Sequence, residues 1–212
     1  MPSDRRLVAG GVALVALTAV VSALAYPEMP AEMATHWNAS GDVNDTMPRA
    51  LGLVLFPVLN AGLFALFVAL PRVDPRTDYE SFRPAYDALA LTTLGLFAYL
   101  DVVVVLANLG YAFELLQALA PAIGAVYVVA GTVTRHAEQN WFVGVRTPWT
   151  LEDEAVWEQT NRVVGRLFQV GGVVAALGVF VPAYALAFIL APALVVAVVS
   201  FGYSYYLYRQ GD

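Results

Sequence analysis

The chain has 212 residues, of which 59% are apolar and only 13% charged, where an ordinary soluble domain carries about 25% charge. It has no cysteine, its basic residues are all arginine, and its formal charge is −6. Disulfides, thiolate metal sites and a cysteine nucleophile are thereby excluded, and the acidic balance argues against direct nucleic-acid binding. An acidic, lysine-free composition suits a cytoplasm with molar salt, where repulsion is screened within roughly 3 Å, so the expected source is a halophilic archaeon. A GC-rich coding bias leaves the same alanine and arginine, and either origin bears on the host rather than the activity.

Taken in chain order, Leu7 to Pro27 and Ala50 to Pro71 are uncharged runs, and Ala88 to Phe113 is a third, broken only by Asp101. Leu115 to Thr134 is a fourth, and Leu167 to Tyr208 is too long for one crossing. Pro182 with Ala183 and Tyr184 marks a turn that divides this last run in two. A crossing needs about 20 apolar residues, each rising 1.5 Å through a core of roughly 30 Å. The dyad alternation of a membrane barrel is absent. The expected fold is therefore all-α, a polytopic six-helix transmembrane bundle in the cell membrane. The first run exceeds the apolar core of a secretory leader, although "SALAYP" offers a small-residue cut site; a retained helix keeps the span count even.

Every arginine but Arg49 lies before the first run, beside the second and fourth connections, or after the last run. The arginine-rich side is expected to be cytoplasmic, which puts both termini inside and connections one, three and five outside. Two regions follow: 1–86, with two helices and an external loop at 27–49, and 87–212, with four helices and a cytoplasmic loop at 135–162.

The external loop opens with Pro27 and Pro30, and Ser40-Gly41-Asp42 signals a turn. Glu28, Glu32 and His36 recur every four residues, a spacing that on a helix would bring them to one face and offer carboxylate and imidazole to zinc. The plainer reading is an interfacial segment with Trp37 at the headgroups. Asn38-Ala39-Ser40 and Asn44-Asp45-Thr46 are glycosylation-type triplets.

Asp101 is the one charge deep in a run, counted about 21 Å from the inner end of its helix if that helix begins near Asp87. An intramembrane carboxyl is a functional candidate by default. The readings left open are a proton- or ion-linked role, a structural pairing, with Asn60 as one neighbour, or a carboxyl buried in its neutral form.

The segment "NWFVGVRTPWTLEDEAVWEQTNRVVGR" is the least apolar long stretch. Pro148 restrains Thr147 toward an extended backbone. Thr150 with Asp153 three residues on looks like a capping box, opening a helix that carries Glu158, Arg162 and Arg166 on one face. Trp141, Phe142, Trp149 and Trp157 are expected at the interface. Arg146, in a glycine-containing turn, could hold a carboxylate or lipid phosphate bidentately. The plain alternative is that the arginines snorkel and the aromatics mark the membrane boundary.

At Asn140, Gly144, Arg146, Thr147, Pro148, Trp149, Thr150, Trp157, Thr160, Asn161 and Gly165 the segment resembles the signature of the SdpI family of bacterial and archaeal membrane proteins. The external loop resembles a domain of unknown function that often precedes it, at Pro27, Pro30, His36, Trp37, Asn38 and Gly41. Asn161 stands where histidine is frequent, which argues against a mechanism resting on an imidazole there. The resemblance implies six helices, a membrane location and an immunity- or sensor-like role. That role would involve an extracellular peptide on one side and a cytoplasmic regulator on the other, with the lipid bilayer as the constant partner and an oligomer as an open option.

No phosphate-binding glycine loop, His-Glu-x-x-His or Gly-x-Ser-x-Gly motif occurs. His36 and His136 are expected on opposite faces of the membrane. No enzyme activity, cofactor or metal is expected. A small transporter using Asp101 and a structural subunit of a membrane complex are the alternatives to the immunity or sensor reading.

Overall fold

The computed structural model describes residues 2–38, 41–73 and 79–211, with side chains described from Arg5 to Gln210. Arg76 and the Ala39-Ser40 pair of the first glycosylation-type triplet lie outside the described residues. The elements run α1 (Pro2–Ala25), β1 (Glu32–Trp37), β2 (Val43–Pro48), α2 (Arg49–Val73), α3 (Arg83–Asn108), α4 (Leu115–His136), α5 (Pro148–Glu152), α6 (Glu154–Leu177) and α7 (Ala185–Gly211).

Six helices are long and apolar enough to cross a membrane, with mean hydropathy between 1.7 and 2.5 over their best stretches. Their outward side chains are apolar, among them Val12, Leu17, Val54, Val58, Val170, Val173, Leu194 and Val198. In water such a surface would be unstable, whereas against lipid it costs nothing. Helices that satisfy their own backbone groups are the spanning structures lipid permits. Pro57, Pro121 and Pro192 are accommodated inside α2, α4 and α7.

The helices pack as α1, α2 and α3 on one side and α4, α6 and α7 on the other, joined where α3 meets α4. The α4–α6 contact is the tightest. A Cβ on Gly124 would lie 2.5 Å from the carbonyl oxygen of Gly172, and one on Gly172 would lie 2.5 Å from that of Gly124. Two helical turns along, Gly131 and Gly165 face each other's carbonyls in the same way. Small residues let membrane helices approach to backbone contact, where dispersion and interhelical hydrogen bonds hold them. Beside this seam Gln169 donates to Thr132 Oγ1 at 2.9 Å and accepts from Arg135 Nη1 at 3.1 Å.

One end of the bundle carries a β-hairpin that the sequence reading did not anticipate. Strands β1 and β2 pair antiparallel from Glu32↔Pro48 to Trp37↔Val43. The turn is tied by Asn38, whose Oδ1 accepts from the Asp42 N–H at 3.0 Å, and by Gly41 at φ +84°. Asn108, the last residue of α3, acts as a further strand partner. Its Oδ1 accepts from Ala34 N–H at 2.7 Å and its Nδ2 donates to Ala34 O at 2.9 Å. Met33 is fully buried beneath the hairpin against Gly52.

This hairpin corrects the helical reading of the external loop. Glu28 lies in the 3₁₀ turn Tyr26–Glu28, while Glu32 and His36 lie on β1, where four residues span about 13 Å. They share no helical face, and no group of three metal-type ligands forms among the described residues. His36 instead hydrogen-bonds Asn44 Oδ1 through Nδ1 at 2.7 Å.

Candidate functional site

The residues of the signature segment converge at the end of the bundle opposite the hairpin. There the loop 137–147 and the short α5 close over the ends of α4, α6 and α7. Asn140 is fully buried and organises the first turn. Its Oδ1 accepts from the N–H groups of Phe142 at 2.8 Å and Val143 at 2.6 Å. Its Nδ2 donates to the carbonyls of Glu138 at 2.7 Å and Val143 at 2.8 Å. One side chain thus meets four backbone groups, of which the N–H and carbonyl of Val143 would otherwise be buried and unpaired.

Gly144 follows at φ +107°, with Asn161 Oδ1 2.7 Å and the Trp157 ring 3.1 Å from where a Cβ would stand. Asn161, 2% exposed on α6, accepts from Val145 N–H at 2.7 Å and donates to Trp157 O at 3.0 Å. Trp157 is 2% exposed, and its indole N–H donates to Ala137 O at 2.9 Å. It is therefore a buried brace rather than a ring lying at the membrane boundary.

The capping box sits one step earlier than the sequence suggested. Thr147 is the N-cap of α5, with Pro148 at the first helical position, where its missing N–H costs nothing. Thr147 N–H donates to Thr150 Oγ1 at 2.9 Å, and Thr150 N–H donates to Thr147 Oγ1 at 3.3 Å. Asp153 caps the separate helix α6 through Val156 N–H at 3.0 Å. Asp153 was read as the partner of Thr150 because the one-residue break between α5 and α6 leaves no breaker residue to mark it.

Thr147 Oγ1 also donates to Ser204 Oγ at 3.0 Å, and Ser204 donates in turn to Ser200 O at 2.6 Å on α7. Gln139 Nε2 donates to Thr150 O at 2.7 Å. Ser204 and Gln139 escaped the sequence reading. For Ser204 a signal existed, since Ser200 and Ser204 stand one turn apart in an otherwise apolar helix.

Outside this buried framework Trp141, Phe142 and Arg146 are exposed, with Glu138, Pro148 and Glu152 around them, and Arg146 Nη1 donates to the backbone carbonyl of Trp141 at 2.7 Å. Trp149 packs its ring on Tyr205 at 5.0 Å between centroids. Glu158 and Arg162 pair along α6 as their spacing suggested. Thr160 Oγ1 is buried and has no hydrogen-bond partner.

The other candidates lie elsewhere. His36, Asn38 and Gly41 belong to the hairpin, at the far end from Arg146. Gly41 also borders a cleft of about 380 Å³, walled by Glu114, Leu115, Gln117, Pro182 and Ala183. Asp101 lies in α3, buried, and both its carboxylate oxygens face Ser22 Oγ, at 3.1 and 3.3 Å. Asn60 does not pair with it; its Nδ2 donates to Thr18 Oγ1 at 2.9 Å. Thr18 and Ser22 stand one turn apart on α1, a pairing the sequence carried but which was not singled out.

No solved structure matches the chain. The chain is 26% identical over 199 residues to immunity protein SdpI of Bacillus subtilis, an alignment covering 93% of each protein. The two long loops and the helices flanking them carry the remaining matches: residues 136–204 match the SdpI/YfhL protein family, and residues 13–61 match the domain of unknown function DUF1648.

Proposed function

We propose that this chain is a six-span membrane immunity or sensor protein, with its hairpin end outside the cell and its Asn140–Asn161 loop on the cytoplasmic side. The observation that carries the reading is the division of labour in that loop. Asn140, Thr147, Thr150, Trp157 and Asn161 are spent inside, and the surface they support includes Trp141, Phe142 and Arg146 beside Glu138, Pro148 and Glu152. A framework of this kind suits a docking face for a cytoplasmic regulator, because the turn beneath is fixed and the Arg146 guanidinium is tied to the Trp141 carbonyl before a partner arrives.

The orientation rests on the arginines, since Arg49 alone stands at the hairpin end and the others gather at the opposite end or beside it in sequence. His36, Asn38 and Gly41 then face outward with the cleft beside Glu114, where a secreted peptide is met. The similarity to a protein named as an immunity protein supports protection as the outcome.

The test is survival of a deletion strain exposed to peptides secreted by its own and neighbouring cultures. Wild type and Arg146→Ala are supplied at matched membrane abundance. Rescue by wild type alone supports the reading. Equal rescue by Arg146→Ala removes the role given to that residue, and indifference of the deletion strain to every peptide defeats the protective function itself.

A further inference from the structure

We propose that Asp101, Ser22, Thr18 and Asn60 hold one small monovalent cation, H⁺ or Na⁺, inside the layer formed by α1, α2 and α3. Asp101 is 2% exposed and lies seven residues before the end of α3, about 10 Å of helical rise from it. Its hydrogen-bonding is incomplete. A carboxylate offers about four acceptor directions, and a single Ser22 hydroxyl proton serves both oxygens.

Among the described residues no cation is paired with it. The apolar stretches 7–25, 50–71, 88–108 and 115–134 contain no arginine, no histidine and no acid besides Asp101. Arg49 is engaged at the hairpin end with Met29 O and the Tyr26 ring, and Arg83 at the other end with Asp87. The remaining titratable groups of α3 and α4 are committed elsewhere: Tyr86 to Phe67 O, Tyr99 to Ala118 O and Tyr127 to Ile189 O, with Arg135 and His136 in the last turn of α4 bound to Gln169 Oε1 and Thr132 O.

A second acceptor is stranded in the same layer. Asn60 is fully buried; its Nδ2 donates to Thr18 Oγ1, which donates onward to Leu14 O at 2.7 Å, and its Oδ1 accepts no hydrogen bond. Thr18 and Ser22 lie one turn apart on one face of α1, so α2 and α3 deliver Asn60 and Asp101 to neighbouring positions of the same ridge. The layer is rich in oxygen acceptors and poor in donors and positive charge. A buried charge without a partner costs several kcal/mol, and an intramembrane carboxyl ordinarily faces a counter-charge or an ion path. One carboxylate neutralises a monovalent cation, whereas a divalent one would leave a net charge in lipid. The site is independent of the immunity reading.

The experiment uses the full chain in nanodiscs. Thermal unfolding is followed by tryptophan fluorescence with NaCl replaced by choline chloride at constant ionic strength. The infrared C=O band of a protonated carboxyl is followed through a pH titration in parallel. Sodium binding predicts a Tm that rises with Na⁺ in wild type and loses that rise in Asp101→Asn. Proton binding predicts a carboxylic component that grows on acidification, is indifferent to Na⁺ and stands out when the Asp101→Asn spectrum is subtracted from that of wild type. Ser22→Ala, which keeps the carboxyl, shifts the midpoint of whichever response is seen and serves if Asp101→Asn fails to fold. Responses to Na⁺ and pH that are the same in wild type and in the variants overturn the proposal.

Discussion

Asn161 Oδ1 stands 2.7 Å from the point that a Cβ on Gly144 would occupy. The oxygen cannot retreat, because it accepts the Val145 N–H at 2.7 Å, while the amide nitrogen of Asn161 is bound to Trp157 O. Gly144→Ala therefore meets two obstacles: a left-handed backbone worth about 1–2 kcal/mol against any L side chain, and a steric conflict with a fixed acceptor. Gly41 has φ +84° and nothing within 4 Å of its Cβ position, so Gly41→Ala meets only the first. Thermal unfolding in detergent is expected to rank Gly144→Ala well below Gly41→Ala.

Asn140→Ala leaves the buried N–H of Val143 and the half-buried N–H of Phe142 without their acceptor. The orphaned Val143 N–H alone costs about 1–3 kcal/mol. Limited proteolysis is expected to open the chain between Gln139 and Arg146 in this variant. Asn140→Asp keeps the acceptor but sets a carboxylate oxygen against the carbonyls of Glu138 and Val143 in place of the Nδ2 donor, so its loop is expected to open as readily as in Asn140→Ala.

The α4–α6 seam predicts a contrast between two glycine substitutions of identical chemistry. Gly131→Leu would drive a side chain into the Gly165 carbonyl, whereas Gly62→Leu places it in open space on the outside of α2. Overpacking a tight core costs about 1–3 kcal/mol, or more where backbone must move. Size-exclusion profiles of the purified proteins are expected to show Gly131→Leu aggregated or absent and Gly62→Leu unchanged.

Asn108→Leu removes both hydrogen bonds that tie Ala34 to the end of α3. The six helices do not depend on them, so the loss is local, as expected where one small unit opens at lower free energy than the whole. Hydrogen exchange is expected to accelerate at Glu32–Trp37 while the spans stay protected. Uniform acceleration across the chain would refute this division.

The helices were legible because crossing lipid demands about twenty apolar residues in a row, and the runs ending near Pro27, Pro71 and Tyr208 supply them with charge only at the ends. The hairpin was not legible for an equally physical reason. Glu32–Trp37 pairs with β2 across a turn the sequence did signal, but its polar and apolar residues do not alternate cleanly, and the Asn108 side chain that holds its Ala34 edge comes from 74 positions away. The signature residues were identified, but their part in the structure was not. Trp157 and Asn161 read as interfacial or functional groups, although they are the internal supports of a turn. A buried asparagine and an exposed one look alike in a sequence until the backbone groups around them are known.

The backbone contacts at Gly124–Gly172 and Gly131–Gly165 have a mechanical consequence. With no cushion of side chains between them, α4 and α6 cannot slide past each other without carbonyl meeting backbone, so they act as a single stiff strut. The cleft beside Gln117 and Pro182 rests on one tip of that strut, and the loop bearing Arg146 rests on the other.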